Sequence, residues 1–144
     1  MSEYTTPIQA NKLKKGMHMV IKTHPCKIIE IHVSKTGKHG HVKMRIIGID
    51  VFSGKKYEDV TPSTHTVHQP ILTKEEYQII DICDDYLSLI DEDNNTRDDI
   101  RLSAEVDLRQ GIINSFEDEQ VVKITLLSWG DIEEVVISFK IEQE

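Results

Sequence analysis

The sequence predicts an all-β protein of two small barrels, an SH3-like barrel over residues 1–70 and an OB-fold with one helix over residues 71–144. Three observations predict this fold class. Short runs rich in Ile and Val, often alternating with polar residues, recur along the chain and are separated by Gly, Pro, Ser and Thr. A single segment has helical periodicity. The charge changes sign near Pro70, which indicates a boundary between two modules.

The first half contains four strand-like runs, at residues 17–22, 26–33, 42–52 and 55–60. None of it shows helical spacing over ten residues. An SH3-like barrel suits roughly 60 residues, because closure removes strand edges that would otherwise aggregate. We predict that a polar linker over residues 65–68 follows this barrel. The boundary lies at residues 68–70, where proline interrupts strand pairing.

The second half has five strand-like runs, at residues 76–83, 86–90, 98–102, 121–128 and 133–141. Between the third and the fourth, within residues 104–116, apolar residues recur at near-helical spacing: Val106, Ile112, Ile113 and Phe116. Ser103, followed by Glu105 and Asp107, suits a helix start, although Gly111 weakens the helix. Five strands with a helix in this position is the order of an OB-fold.

An OB-fold often serves single-stranded nucleic acid, but such a surface needs basic residues and exposed aromatic rings. This half is acidic, and we predict that its large aromatic residues lie in the core: Tyr77, Tyr86, Phe116, Trp129 and Phe139. The sequence therefore favours a barrel that faces a protein or acts as a spacer.

The charge is distributed unevenly. Residues 1–70 hold 11 Lys and Arg against 5 Asp and Glu, a net charge of +6, whereas residues 71–144 hold 6 against 20, a net charge of −14. The basic half could approach phosphates while the acidic half is repelled, so the molecule would dock on RNA in one orientation. Two solvated surfaces of opposite sign are the alternative interpretation of the charge alone.

Composition excludes several classes of protein. No apolar run approaches the ~20 residues that a membrane helix needs, so a membrane-spanning protein is not predicted. The N-terminal segment lacks the apolar stretch of a signal peptide, so we do not expect export. Cys26 and Cys83 have no paired spacing, which indicates a reducing cytoplasm rather than a disulfide or a zinc site. We predict both as small buried hydrophobic residues.

The most informative segment joins two apolar strands and reads Ser34, Lys35, Thr36, Gly37, Lys38, His39, Gly40, His41. Glycines on both sides of Lys38 permit positive φ, so the chain can turn sharply at a hairpin tip. Lys38 should be the most protruding side chain there. Neighbouring lysines add positive charge and the histidines add hydrogen-bond donors, which predicts contact with RNA phosphate.

Three catalytic interpretations of this segment fail. A phosphate-binding P-loop needs a glycine five residues before Gly37, a Ser or Thr after the lysine, and then a helix, but the chain has His32, His39 and a strand. A metal held by His39 and His41 would need a third ligand, and no acidic residue lies nearby in sequence. A catalytic lysine would need burial to lower its pKa, which a protruding Lys38 lacks. We predict a protein that is not an enzyme.

The segment Ser34 to His41 resembles the signature around the modified lysine of the eukaryotic translation initiation factor 5A family, which also serves in elongation. The likeness continues through residues 48–50, 53–59, 62–65, 85–89 and 97–102, and covers nearly the whole chain. The resemblance implies that Lys38 is converted to hypusine. Deoxyhypusine synthase would transfer an aminobutyl group from spermidine to the lysine amine, and deoxyhypusine hydroxylase would add a hydroxyl.

The resemblance further implies a cytoplasmic protein that binds the ribosome beside peptidyl-tRNA and contacts ribosomal RNA, with the loop directed at the acceptor end of the tRNA. Such a factor promotes elongation through consecutive prolines and assists termination. No bound cofactor and no membrane partner are expected. The alternatives are a plain RNA-binding module with an unmodified basic loop and a small hydrolase that uses Lys38 and the histidines.

Overall fold

The computed structural model describes residues 2–35 and 42–143, and it divides into two compact units, Met1–Ile71 and Leu72–Glu144. Each unit has its own core and is built from antiparallel strands. The predicted all-β class, with an SH3-like barrel followed by an OB-fold with one helix, is confirmed. In the described part of the chain, no helix has the length and apolar character needed to cross a membrane.

The described residues of the first unit form six strands: β1 (Thr5–Gln9), β2 (His18–Ile21), β3 (His24–Lys35), β4 (Val42–Asp50), β5 (Lys56–Pro62) and β6 (Thr66–Pro70). β2 to β5 form one antiparallel sheet in chain order, and β1 pairs with β6. Short 3-10 turns occupy Ser2–Tyr4 and Ala10–Lys12. The core is apolar and holds Ala10, Leu13, Met19, Ile21, Cys26, Ile28, Met44, Ile46 and Val67.

Two strands of this unit, β1 and β6, were not predicted, and the predicted polar linker over residues 65–68 is wrong. Thr66–Pro70 is strand β6, and Val67 is buried opposite Ile8 of β1. His68 is exposed on the same strand. Each of these strands carries a proline and one strongly apolar residue, so neither shows the alternation that indicates a strand. Pro70 was predicted to interrupt strand pairing, and this prediction is also wrong: Pro70 ends β6 opposite Thr5 of β1, and the N–H of Ile71 donates to the carbonyl oxygen of Tyr4 at 2.8 Å.

In the second unit, residues 72–143 form five strands and one helix: β7 (Thr73–Cys83), β8 (Tyr86–Ile90), β9 (Thr96–Arg101), α1 (Val106–Glu117), β10 (Val121–Trp129) and β11 (Glu133–Glu142). The sheet order is β11-β10-β7-β8-β9, so β9 and β11 are the edge strands. The helix lies between the third and the fourth strand, as predicted. Ile112 of the helix packs into a core formed by the inner faces of the strands.

The start of α1 follows from side-chain capping. The Glu105 carboxylate accepts hydrogen bonds from the backbone N–H of Asp107 at 3.2 Å and of Leu108 at 2.7 Å, which satisfies two of the free donors at the helix start. Gly111 occurs inside the helix because the ring of Phe139 lies against it. A Cβ at Gly111 would be 2.7 Å from that ring. The glycine that weakened the prediction therefore has a packing role.

Two predictions of burial in this unit are wrong. Tyr86 is 42% exposed, although it was predicted in the core, and Cys83 is also exposed. Both residues flank the β7–β8 turn, and Tyr86 stands on the outward side of a strand whose Leu87 and Leu89 face the core. The remaining aromatic residues contribute to burial as predicted, Tyr77 and Trp129 fully and Phe116 and Phe139 partly.

Candidate functional site

The two strands that flank the predicted loop form a long antiparallel hairpin. The pairing of β3 with β4 runs from Cys26 opposite Asp50 to Lys35 opposite Val42. This last pair brings together the two ends of the segment 36–41. The predicted arrangement of two apolar strands on either side of the loop is therefore present, and the sequence segment with the family signature joins them.

Of the eight predicted site residues, Ser34 and Lys35 are described, and both side chains are exposed at the end of β3. The other six lie outside the described residues: Thr36, Gly37, Lys38, His39, Gly40 and His41. The positive φ of the glycines and the protrusion of Lys38 stay predictions.

The opposite end of the hairpin is fixed by tight packing. Gly48 on β4 faces Ile28 on β3, and a Cβ at Gly48 would lie 2.7 Å from the Cβ of Cys26 and 3.1 Å from the carbonyl oxygen of Lys27. Only glycine allows this close approach without displacing its neighbours. A glycine inside an apolar strand was the sequence signal for this contact, although it was not interpreted that way.

A buried carboxylate holds the turn that follows β4. Asp50 is 4% exposed, and its Oδ1 accepts a hydrogen bond from the backbone N–H of Phe52 at 2.8 Å. Its Oδ2 lies 3.1 Å from Nδ1 of His24, whose ring stacks on Tyr57 with centroids 4.0 Å apart. Because every partner comes from a different segment, this network ties the start of β3 to the end of β4 and the start of β5.

Cys26 lies beside this network, and its thiol is unreactive in the folded protein. Burial, followed by the nearby charge of Asp50, raises the pKa of its thiol to about 11. The thiol is therefore neutral at physiological pH and packs as a small hydrophobic group, as predicted for this cysteine.

The end of the hairpin next to the loop carries positive charge. Lys43 is exposed at the start of β4, opposite Ser34. Further from the loop, Arg45 is paired with Glu58 at 2.8 Å, and both side chains are about half exposed. Lys35 and Lys43 are thus the described cations nearest the loop, and Glu58 compensates the charge of Arg45. No sequence pattern marks this pair, since its partners meet through strand register.

The structure offers no metal centre among residues 2–35 and 42–143, where no three His, Cys, Asp or Glu side chains converge. The hairpin presents cationic and hydrogen-bonding groups, those of Ser34, Lys35 and Lys43, on a rigid base. Chemically, this arrangement can hold a phosphate or extend a side chain into a crevice.

The fold and the hairpin define a two-barrel β protein in which a basic SH3-like unit presents a cationic hairpin and an acidic OB-fold follows. A family model described as "Translation initiation factor 5A-like, N-terminal" matches residues 3–65. A second, described as "Eukaryotic elongation factor 5A hypusine, DNA-binding OB fold", matches residues 71–140. The chain belongs to the eukaryotic translation initiation factor 5A family, and it is a translation factor.

Individual relatives agree with this assignment. The chain is 46% identical over 124 residues to eukaryotic translation initiation factor 5A-2 of Schizosaccharomyces pombe, and the aligned residues make up 86% of this chain and 73% of the relative. It is 42% identical over 139 residues to eukaryotic translation initiation factor 5A-1 of Saccharomyces cerevisiae, and this alignment covers 96% of this chain and 87% of the relative. A solved eif-5a family structure from Naegleria fowleri has a TM-score of 0.86 and 45% identity, and covers 95% of this chain and 99% of that one.

Proposed function

We propose that the chain is a hypusine-bearing factor that binds the ribosome beside peptidyl-tRNA and promotes peptide-bond formation at stalling sequences such as consecutive prolines, and that it assists termination. The observation that carries this proposal is the hairpin. Its two strands end at Lys35 and Val42, on either side of the segment that carries the family signature without change. The family model that matches the second half of the chain has the word hypusine in its description.

The proposed modification site is Lys38. Deoxyhypusine synthase would transfer the aminobutyl group of spermidine to the lysine amine, and deoxyhypusine hydroxylase would then add a hydroxyl. Exposure of Ser34, Lys35 and Lys43 at the ends of both arms supports access by these enzymes. The hypusine is part of the protein, so the proposal includes no separately bound cofactor.

The modified side chain would act by positioning. Proline's secondary amine is a constrained nucleophile, so a factor that holds the tRNA end in a reactive geometry could recover several kcal/mol of orientational cost. Two amines on a long side chain can reach phosphate or ribose deep in an RNA crevice, where an ordinary lysine would stop short. The tight packing at Gly48 and the Asp50 network support this role, because they give the hairpin a rigid base.

The charge distribution supports an oriented complex in the cytoplasm. The first 70 residues, with a net charge of +6, would face ribosomal RNA and the peptidyl-tRNA. The remaining residues, with a net charge of −14, would be turned away from phosphates. The synthase and the hydroxylase complete the proposed set of partners.

Substitution of Lys38 tests the proposal. Lys38→Arg keeps the positive charge but offers no primary amine for aminobutyl transfer. We expect it to abolish the stimulation of translation through proline runs while leaving the urea unfolding midpoint unchanged. Lys35→Arg is the matched control and should remain active. A Lys38→Arg variant that stimulates translation normally would instead favour an unmodified basic-loop RNA-binding module.

A further inference from the structure

The outer face of β7, β8 and β9 carries a group of exposed side chains near the β7–β8 turn. Tyr86 of β8 pairs with Cys83 of β7 on one side and with Arg101 of β9 on the other. One step along the sheet, Ser88 pairs with Asp81. Cross-strand partners share a face, as do alternate residues of a strand, so these five side chains lie on the same surface. We call this surface the Tyr86 face.

Tyr86 and Arg101 form a preorganised pair at the end of this face. The guanidinium carbon of Arg101 lies 5.4 Å from the centroid of the Tyr86 ring, and Nε of Arg101 donates to the phenol oxygen at 3.4 Å. The ring is nevertheless 42% exposed. A large aromatic side chain held in one orientation and still open to solvent is typical of an interface anchor, because little conformational entropy remains to be lost on binding.

A shallow hollow continues the face along β8. Its volume is about 280 Å³, and it is lined by Ile80, Ser88, Thr96, Arg97 and Asp98. Ile80 stands at a β-bulge and is 47% exposed, so it adds apolar surface to the hollow. The charge of Arg97 is already compensated by Glu134 and Asp99. The hollow therefore presents apolar surface and one free carboxylate, that of Asp98.

The rim of the face is acidic. Asp81, Asp84 and Asp98 are exposed, and none of them forms an ion pair with a described residue. Asp85, by contrast, is paired with Arg109. The local charge therefore adds to the net charge of −14 carried by residues 71–144.

We propose that the Tyr86 face is a docking surface for a lysine- and arginine-rich protein, with Tyr86 and Arg101 as the anchor and the three aspartates as the rim. This inference rests on the proposed function, in which the partner is a component of the ribosome. Aromatic and arginine anchors surrounded by a charged rim are the usual anatomy of protein interfaces.

Charge decides between a protein and a nucleic acid. The second and third strands of an OB-fold commonly bind oligonucleotides, and the matching family model is described as a DNA-binding OB fold. Nucleic-acid binding needs cations that neutralise phosphates. On the Tyr86 face, Arg101 stands beside three unpaired aspartates, so a polyanion is repelled and a basic protein surface is attracted.

Cys83 provides a site-specific test, because it is exposed on this face while Cys26 is buried with a raised thiol pKa. The full chain is labelled at Cys83 with a benzophenone maleimide, bound to purified ribosomes and irradiated. We expect cross-links that survive ribonuclease and contain a basic ribosomal protein. Cross-links to ribosomal RNA overturn the inference, as does a chain that cosediments with ribosomes without cross-linking. An unlabelled chain that fails to cosediment overturns the proposed function as well.

Variants of the face test the anchor and the rim separately in ribosome cosedimentation at several salt concentrations. Tyr86→Ala should weaken binding by tenfold or more. Asp81→Asn with Asp98→Asn should weaken it severalfold and reduce its salt dependence. The control Glu117→Gln with Glu119→Gln makes the same change in charge at exposed positions at the end of α1 and should bind normally.

The inference is wrong if Tyr86→Ala and Arg101→Gln both bind like the unchanged chain, or if neutralising Asp81 and Asp98 strengthens binding as it would for RNA. Urea unfolding of each variant shows whether the fold is kept. Because Tyr86 and Arg101 are exposed, both variants should keep it.

Discussion

Arg97 joins the two edge strands of the acidic unit, and its removal tests how that barrel is closed. Its guanidinium donates to both carboxylate oxygens of Glu134 on β11, at 2.8 and 2.9 Å, and to both oxygens of Asp99 on its own strand, at 2.8 and 3.0 Å. β9 and β11 lie at opposite ends of the strand order. The Arg97–Glu134 pair therefore spans the seam between these two edges.

The exposure of the partner side chains sets how much free energy of unfolding the substitution of Arg97 should remove. The side chains of Arg97 and Glu134 are 26% and 30% exposed, so their hydrogen bonds are partly shielded and should stabilise the unit by about 1.5–3 kcal/mol. Asp99 is 63% exposed and should add little, about 0–1 kcal/mol. We expect Arg97→Gln to lower the free energy of unfolding by about 2–3 kcal/mol. Lys140→Gln, which removes the same charge from an exposed pair with Glu76, should cost less than about 1 kcal/mol.

Urea unfolding followed by tryptophan fluorescence measures this difference. Trp129 is the single tryptophan of the chain and is buried in the acidic unit, so its emission reports the unfolding of that unit. For a slope of about 1–2 kcal/mol/M, a loss of about 2–3 kcal/mol in Arg97→Gln should lower the midpoint by roughly 1–3 M. The reasoning is refuted if Arg97→Gln shifts the midpoint no more than Lys140→Gln.

The same pair predicts a pH dependence. The hydrogen bonds from Arg97 lower the pKa of Glu134 below its ordinary value of 4.5, and they also lower the pKa of Asp99. A carboxylate whose pKa is lowered by folding contributes stability above the unfolded pKa and loses it as pH falls through the folded pKa. The difference in stability between the unchanged chain and Arg97→Gln should therefore be full near pH 7 and shrink below about pH 4.5. A difference that stays constant down to pH 3 would contradict this account.

The remaining predictions concern the first unit and the thiols. Gly48→Ala should lower the free energy of unfolding by about 1–3 kcal/mol, since its Cβ would lie 2.7 Å from that of Cys26; an unchanged urea midpoint would contradict the packing described. A thiol-reactive reagent at neutral pH should modify Cys83 rapidly and Cys26 only after unfolding, so two equally fast thiols in the native protein would exclude burial of Cys26. Gly37→Val or Gly40→Val should slow modification by the synthase more than it affects stability, because a β-branched residue resists positive φ, and modification at the normal rate would disprove the predicted turn.

The sequence contained enough information for the architecture because the local patterns are strong in most strands. β8 shows the alternation of Leu87 and Leu89 on either side of Ser88, and the order of five strands with one helix specified the OB-fold. β1 and β6 escaped prediction because their pairing stabilises segments with weak local preference, each with a proline. Tertiary pairing rather than residue type determines these two strands.

Side-chain contacts were harder to predict from the sequence than the strands and the helix. Arg97 meets Glu134 across the barrel seam. Arg45 meets Glu58 diagonally between β4 and β5, where their direct cross-strand partners are Val60 and Ile47. The exposure of Tyr86 follows from its position next to a turn, whereas its residue type favoured burial. The modification proposed for Lys38 follows from the resemblance of Ser34 to His41 to the family signature, and it stays a prediction because Lys38 lies outside the described residues.

The most direct test of the proposed function is the intact mass of the protein purified from its own cells, combined with peptide mapping of residues 34–41. The account predicts that Lys38 carries one aminobutyl group with one added hydroxyl, and that the other lysines are unchanged. Protein made in bacteria without the synthase is the control and should have the mass of its sequence. An unmodified Lys38 in protein that is active in translation would contradict the account.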